Sequence, residues 1–334
     1  MASTVIQAFN EFQRDMVNLL SDTSDNARRS RDWLLDQINN FDSKEDSFPY
    51  LYSDINIHFG SFARRTKIRE LDDIDLMIGI KVNGATYSEL LTTLEITVPD
   101  EEKRLRNLCF DNTNKLNSRK VINKFVSTFS DIPQYSKAEI KRNQEAATLK
   151  LNTYSWNFDI VPCFMTKEDT YGKSYYLIPD GNGNWKKTDP RIDRERIKDI
   201  NKKHAGNVLN VIRIMKYWNK RATMPTIPSY LLETIILNYY DNKSTEASQF
   251  VDMEMPGVFQ FIQTEIMGVI NDPKDIQGDI NSLGYFKRIK ISQRAELDKN
   301  KAIEARSLEG DKNMRGSINK WREIFGDSFP KFSE

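Results

Sequence analysis

The chain predicts an α+β, bilobal fold: a mixed-sheet lobe fronted by a long N-terminal helix, then a helical C-terminal lobe. Three observations predict it. Near the start, Phe9, Phe12, Met16 and Leu19 recur three and four residues apart, the period of one helix face. Residues 50–165 hold short apolar runs of strand length, clearest at 55–59, 74–80 and 149–164. Beyond 190 the strand signals nearly vanish, and 207–219, 229–240 and 256–270 carry helical periodicity.

Each element has a local reason. Trp33, Leu34, Ile38 and Phe41 continue the N-terminal helical stripe, and the polar stretch 43–49 ends it. The run 149–164 bends at Tyr154 and Ser155 as a hairpin. Between the strands, 87–94 and 118–128 read as short helices. The segment DGNGNWKKTDP, 180–190, is rich in Gly and Asn and closes on Pro, so it reads as a linker. That divides the chain into lobes 1–190 and 191–334. A charged tail helix over 291–324 is interrupted near Gly310 and Asp311, and no internal repeat or low-complexity tract is present.

Composition narrows the function classes. The 334 residues carry 49 Lys and Arg against 48 Asp and Glu, a net charge of +1. A long nucleic acid partner calls for a basic excess that this chain lacks, whereas small anionic ligands need only a few well-placed cations. Two cysteines, Cys109 and Cys163, and two histidines, His58 and His204, exclude the usual Cys/His zinc cluster. Cys163 reads as a reduced core thiol, which fits a reducing compartment. The beginning MASTVIQAFNEFQRDM has neither a basic n-region nor an unbroken apolar stretch. The most apolar run, 230–240, is interrupted by Glu233 and too short for a bilayer. A cytoplasmic, membrane-free protein is expected.

The most informative stretch is INIHFGSFARRTKIRELDDIDLMIGI, 55–80. An apolar strand stops at Gly60 and Ser61, and a second strand begins with Asp73, Ile74 and Asp75. Two carboxylates two residues apart on a strand share a face, where they can chelate a pair of divalent cations ~3.5–4 Å apart for in-line phosphoryl displacement. The Gly-Ser turn offers amides and a hydroxyl to a triphosphate. The third carboxylate is Asp159 in NFDIVPCF, opposite in face to Phe158 and Ile160. An Asp in an apolar strand is costly unless paired, by a cation or by a neighbouring Arg or Lys. The blander alternatives are a solvated strand end for Asp73 and Asp75 and an ordinary turn at Gly60 and Ser61. Asp72 reads as a turn cap, and Arg64, Arg65 and Lys67 as phosphate contacts or, slightly favoured, surface charge.

In the helical lobe, Arg213, Lys216 and Lys220 form a stripe opposite Val208, Val211, Ile212, Met215 and Trp218. Lys216 can present its ammonium to a triphosphate, although spacing alone favours a basic solvent face. Ser229 is a candidate N-cap for a helix from Tyr230, and Tyr230 is either a base-stacking platform or a core aromatic.

The segments GSFARRTKIRELDDIDLMIGI, TDP at 188–190, VIRIMKYWNKR at 211–221, PSYLLE at 228–233, NDPKD at 271–275 and WREIFGDSFP at 321–330 carry a resemblance. The first resembles the Gly-Ser and Asp-x-Asp core of the DNA polymerase beta-like nucleotidyltransferase superfamily. The others resemble the bacterial cGAS/DncV-like nucleotidyltransferases (CD-NTases) of cyclic-oligonucleotide antiphage signalling, over essentially the whole chain. The resemblance implies a polymerase beta-like mixed-sheet core. It implies a Mg²⁺-dependent synthase that makes a cyclic di- or trinucleotide second messenger from NTPs, releasing pyrophosphate, in CBASS defence. It implies that Asp73, Asp75 and Asp159 are catalytic and bind two Mg²⁺, with Mn²⁺ as a substitute. Gly60, Ser61, Lys216 and Ser229 are then phosphate contacts, Tyr230 stacks on a base and Asp272 meets a base edge. A product-sensing effector and a regulatory partner protein come with the family. Phe59 stands where some relatives have Gln, so any contact from that side chain is lost. The rivals are a linear oligonucleotide or RNA-tailing transferase, a toxin-type enzyme that nucleotidylates protein or tRNA, and a catalytically silent nucleotide-binding scaffold.

Overall fold

Ile74, Leu76 and Ile78 alternate with residues that face the other side of their strand, and all three are buried to about 1% exposure or less. The strand pairs in parallel with a second that repeats the pattern through Phe158 and Ile160. This pair anchors one of two units in the computed structural model, which describes residues 2–90 and 93–333. The sheet unit comprises Ser21–Arg64 and Glu70–Arg191. The helical unit comprises Met1–Leu20, Arg65–Arg69 and Ile192–Glu334.

The sheet unit holds β1 (Ile57–Phe59), β2 (Asp73–Gly79), β3 (Thr86–Leu90), β4 (Thr93–Thr97), β5 (Glu139–Asn143), β6 (Ala146–Lys150), β7 (Asn157–Met165), β8 (Tyr176–Pro179) and β9 (Trp185–Thr188). They run in the order β1-β2-β7-β8-β9-β4-β3, with β6 also on β7 and β5 beyond it. Among the described strands only β2 and β7 pair in parallel. Such a pair needs a long crossover, and residues 80–156 supply it. The crossover includes the helix Ser118–Ser130, which Asn117 caps by accepting from the amides of Arg119 and Lys120. Phe125 and Phe129 of that helix meet Phe48 and Phe41 edge to face, with ring centroids 4.9 and 5.1 Å apart, an arrangement favoured by the aromatic quadrupole. The helix Ser21–Ile38 adds Leu34 and Ile38 to the buried side.

The helical unit packs Val5–Phe12, Val208–Lys220, Ser229–Asp241, Val251–Glu265, Tyr285–Gly310 and Met314–Phe325 around one core. Phe9 touches Trp321, Phe329 and Phe325 edge to face, at 5.0, 5.0 and 5.9 Å.

Several expectations need correction. Residues 87–94, read as a helix, fall on the antiparallel pair β3 and β4, apart from 91 and 92, which lie outside the described residues. The β-branched Thr86, Thr93, Ile96 and Thr97 favour the pleated form. The expected strand 55–59 contracts to Ile57–Phe59, because Ser53–Ile55 is a 3₁₀ turn. The expected linker 180–190 is largely the β8–β9 hairpin. Asp180 Oδ1 accepts from the amides of Asn182 and Asn184 at 2.7 and 3.0 Å, and Gly181 and Gly183 take φ of +84° and +112°, conformations suited to glycine. Asn and Gly close this turn inside the unit. The N-terminal helix, placed by sequence with the first lobe, divides: Met1–Leu20 belongs to the helical unit, because Phe9 and Phe12 bury there. A π-helical turn at Gln13–Val17 advances the buried face, so Val17 is buried while Met16 is exposed. The extra residue in that turn breaks the three-and-four spacing.

Replacing Phe9 by Ala leaves a void among three aromatic rings. Urea unfolding is expected to show a loss of about 3–5 kcal/mol.

Candidate active site

The register of four strands builds the acidic site in the sheet unit. Asp75 lies opposite Asp159 across β2 and β7, Phe59 opposite Asp75 across β1 and β2, and Thr148 opposite Asp159 across β6 and β7. Phe59, Asp75, Asp159 and Thr148 therefore form one row, and directly opposed residues point to the same face about 4.8 Å apart. Asp73 is two residues before Asp75 and joins that face. The apolar residues between them are buried, so the carboxylates stand on the partly open side, each with intermediate exposure.

Thr148 donates its hydroxyl to Asp159 Oδ1 at 2.6 Å. The carboxyl of Asp159 is pushed above its usual range chiefly by burial, with Thr148 opposing and the charge of Asp73 adding to the rise. Sequence reasoning missed Thr148, and its only signal is a place opposite Asp159 in the hairpin.

The chain leaves β1 through Gly60, whose φ is +71°. A Cβ there would lie 1.7 Å from Asp75 Oδ2 and 2.5 Å from its Cγ. Glycine is thus required twice, by conformation and by the carboxylate beside it. Gly60–Ala63, with Ser61 inside it, is a single helical turn closed by the Arg64 amide on the Gly60 carbonyl at 3.2 Å. One turn builds little macrodipole, so what it can offer an anion is its local amides and the Ser61 hydroxyl.

Among the described residues, no three His, Cys, Asp or Glu stand close enough together to hold a metal ion unaided. The donor chemistry nevertheless fits a hard divalent cation. Three carboxylates share one face, and Asp73 disfavours the charge on Asp159. Oxygen-only donors suit Mg²⁺ or Mn²⁺.

The other expected contacts lie in the helical unit. Lys216 is not on a solvent face: it is 6% exposed, ion-paired with Glu233 and hydrogen-bonded to Thr66. Glu233 is itself 2% exposed, so the break in the apolar run 230–240 is the partner of Lys216. The helix Ser229–Asp241 starts one residue earlier than expected, so Ser229 sits in its first turn, exposed, after Pro228. Tyr230 is neither free nor fully buried. Its hydroxyl bonds to Asp193 Oδ1 at 2.7 Å and lies 3.3 Å from Asp272 Oδ1, while the Lys274 ammonium stands 4.2 Å from its ring centroid. Burial and then Asp193 push its hydroxyl far above the ordinary phenol range.

Asp272 is 5% exposed. Burial raises its pKa, but Lys274 at 2.8 Å and the amides of Lys274 and Gln277 prevail and hold it below the usual range. Its oxygens are thus already engaged by its own loop and by the Tyr230 hydroxyl. Lys274, which joins Asp193, Asp272 and Tyr230, was missed. Its partners are far apart in the chain, and only the motif NDPKD marks it.

Two more groups noted in the sequence, Cys163 and His204, have structural surroundings. Cys163 is fully buried, with its thiol pushed up by desolvation. His204 bridges the Tyr240 carbonyl at 2.7 Å and the Ala247 amide at 3.1 Å, so Nδ1 accepts and the Nε2 proton donates in the neutral ring. Among the described residues, no helix is long and apolar enough to cross a membrane.

No protein-family model matches the chain. A probable cyclic nucleotide synthase of Bacillus cereus (strain VD146) is 46% identical over 338 residues, covering 100% of both chains. The cyclic AMP-AMP-AMP synthase of Escherichia coli (strain MS 115-1) is 21% identical, covering 95% of both. Among solved structures, E. coli MS115-1 CdnC with ATP superposes with a TM-score of 0.70 at 18% identity, covering 97% of this chain and 98% of that one. The apo form of Vibrio cholerae DncV gives 0.68 at 13% identity, covering 98% and 96%. The two structures establish the nucleotidyltransferase fold, and the full-length similarity to the B. cereus protein establishes kinship. The chain belongs to the bacterial cGAS/DncV-like nucleotidyltransferases, the CD-NTases, and is an enzyme of the cyclic nucleotide synthase kind.

Proposed function

We propose that the enzyme joins NTPs into a cyclic di- or trinucleotide second messenger, releasing pyrophosphate, in antiphage (CBASS) signalling. The observation that carries this reading is the row in which Asp75 and Asp159 oppose each other beside Asp73, with the Gly60 backbone against Asp75. The names add support: one relative is a cyclic AMP-AMP-AMP synthase, and a structural neighbour from the same strain is described with ATP.

In this proposal Asp73, Asp75 and Asp159 hold two Mg²⁺, or Mn²⁺. When bound, such ions polarise phosphoryl oxygens and make an attacking hydroxyl more acidic. Gly60 and Ser61 hold the donor triphosphate through amides and hydroxyl. Asp159, with Oδ1 fixed by Thr148, takes the proton of the acceptor ribose hydroxyl. The ribose oxygen bonds to the α-phosphorus as the bond to pyrophosphate breaks. A second transfer closes the ring.

Lys216 and Ser229 are proposed as further phosphate contacts, Lys216 with its orientation set by Glu233. Tyr230 offers a base platform, with Lys274 occupying one side of its ring. Asp272 would reach a base edge by exchanging one of its present hydrogen bonds. The proposal places the enzyme in the cytoplasm, with a product-sensing effector. A regulatory partner protein also belongs to it, because the E. coli CdnC relative is described in complex with HORMA.

Three outcomes test it. Labelled NTPs with Mg²⁺ or Mn²⁺ should give a small phosphatase-resistant product, lost with a chelator. Labelled RNA, labelled protein or only linear products would instead identify one of the rival transferases. Asp73→Ala combined with Asp75→Ala should abolish turnover with a melting temperature near the parent's, since neither carboxylate is part of the apolar core. Gly60→Ala should lower kcat/KM about 100-fold, because the new methyl group displaces the Asp75 carboxylate.

A further inference from the structure

Arg213, Lys216 and Lys220 recur three and four residues apart on the helix Val208–Lys220, and all three reach the segment Arg65–Arg69. Arg213 Nη1 donates to the Arg65 carbonyl at 2.9 Å, Lys216 Nζ to the Thr66 hydroxyl at 3.3 Å and Lys220 Nζ to the Arg69 carbonyl at 3.4 Å. Ile68 enters the helical core at 3% exposure. Arg69 donates to the carbonyls of Arg14, Asp15 and Asn18. The segment is strapped to the helical unit along its length, and in the chain it follows directly on the turn Gly60–Ala63 and Arg64.

One link of the strap is strained. Arg65 has φ +62°, the left-handed region that residues other than glycine occupy at a cost. The residue that grips its carbonyl is also unusual. Arg213 keeps a buried Nε without a hydrogen-bond partner, and its guanidinium is held below its ordinary range by burial and then by the charge of Arg65. A desolvated cation beside a like charge is a poor source of stability. Besides its bond to the Asn210 side chain on its own helix, its interaction is the hold on Arg65.

We propose that Arg213 is a positioning residue for nucleotide binding: it locks Arg65 in the left-handed conformation and so fixes the outgoing end of the Gly60 and Ser61 turn. This rests on the reading of that turn as the triphosphate site. Glycine at position 65 would adopt the same backbone without a clamp, so the need for Arg213 depends on what occupies position 65.

A double-mutant cycle tests this. Arg213→Met keeps the buried stem and removes the guanidinium. In the parent background it should raise the KM for NTP about tenfold with kcat changed less, an extent set by the cost of left-handed backbone. In the Arg65→Gly background it should raise KM less than about twofold. Equal penalties in both backgrounds would overturn the clamp and leave Arg213 a packing residue. If Arg213→Met fails to fold, Arg213→Lys, which keeps charge and stem but loses the planar fork, is carried through the same cycle. Ser61→Ala and Gly60→Ala separate the two readings. If both Ser61→Ala and Gly60→Ala leave KM unchanged, the turn is not a triphosphate site and the clamp has nothing to position. If either raises KM while Arg213→Met costs the same in both backgrounds, the clamp alone is wrong.

Discussion

The parallel register of β2 and β7 is the constraint on which the site depends. Ile74, Leu76, Phe158 and Ile160 must all face the core. A slip of one residue would turn one strand's apolar set to the face opposite the other's. Keeping them inward leaves Asp73, Asp75 and Asp159 on the opposite face, with Asp75 and Asp159 opposed. The acidic geometry is therefore enforced by hydrophobic burial, with no attraction among the acids themselves. Parallel pairing also demands the long crossover that carries β6, and β6 brings Thr148 to Asp159.

The helical unit solves a different problem, that of holding cations out of water. Lys216 lies against Glu233, Lys274 between Asp272 and Asp193, Lys243 against Glu254 and Arg294 against Asp298, which also accepts from Trp218. Buried pairs of this kind return little net stability, because desolvation consumes most of the Coulombic gain. What they supply is direction. Each fixes a long side chain in one rotamer, and the Lys274 cluster fixes the Tyr230 ring as well. Such preorganisation suits a site in which charge must be placed within a fraction of an ångström.

Much of this was legible in the sequence where the signal was local. Alternation in DDIDLMIGI and NFDIVPCF put the three acids on one face of two strands, and glycine before serine marked the turn. The helices at 207–219 and 229–240 followed from their apolar period. What could not be read depended on partners distant in the chain. Lys216 looks like one member of a solvated stripe until Glu233 and Thr66 are brought to it. The pairing of Asp272 with Lys274 and Tyr230 likewise appears only in the folded chain. Thr86 and Thr93 argue for strands, yet the leucines of 87–94 imitate a helical stripe. The Gly and Asn of 180–184 serve a hairpin as readily as a linker, and only the pairing of β8 with β9 decides.

The packing of Phe9 against Trp321 and Phe329 has a consequence for biosynthesis. The first helix is synthesised long before its aromatic partners Trp321 and Phe329. At about 5–20 residues per second, Phe9 stays without its native cover for tens of seconds. The helical unit cannot close until those residues are made, whereas most of the sheet unit can fold earlier. Until then an exposed aromatic helix is a natural substrate for a chaperone.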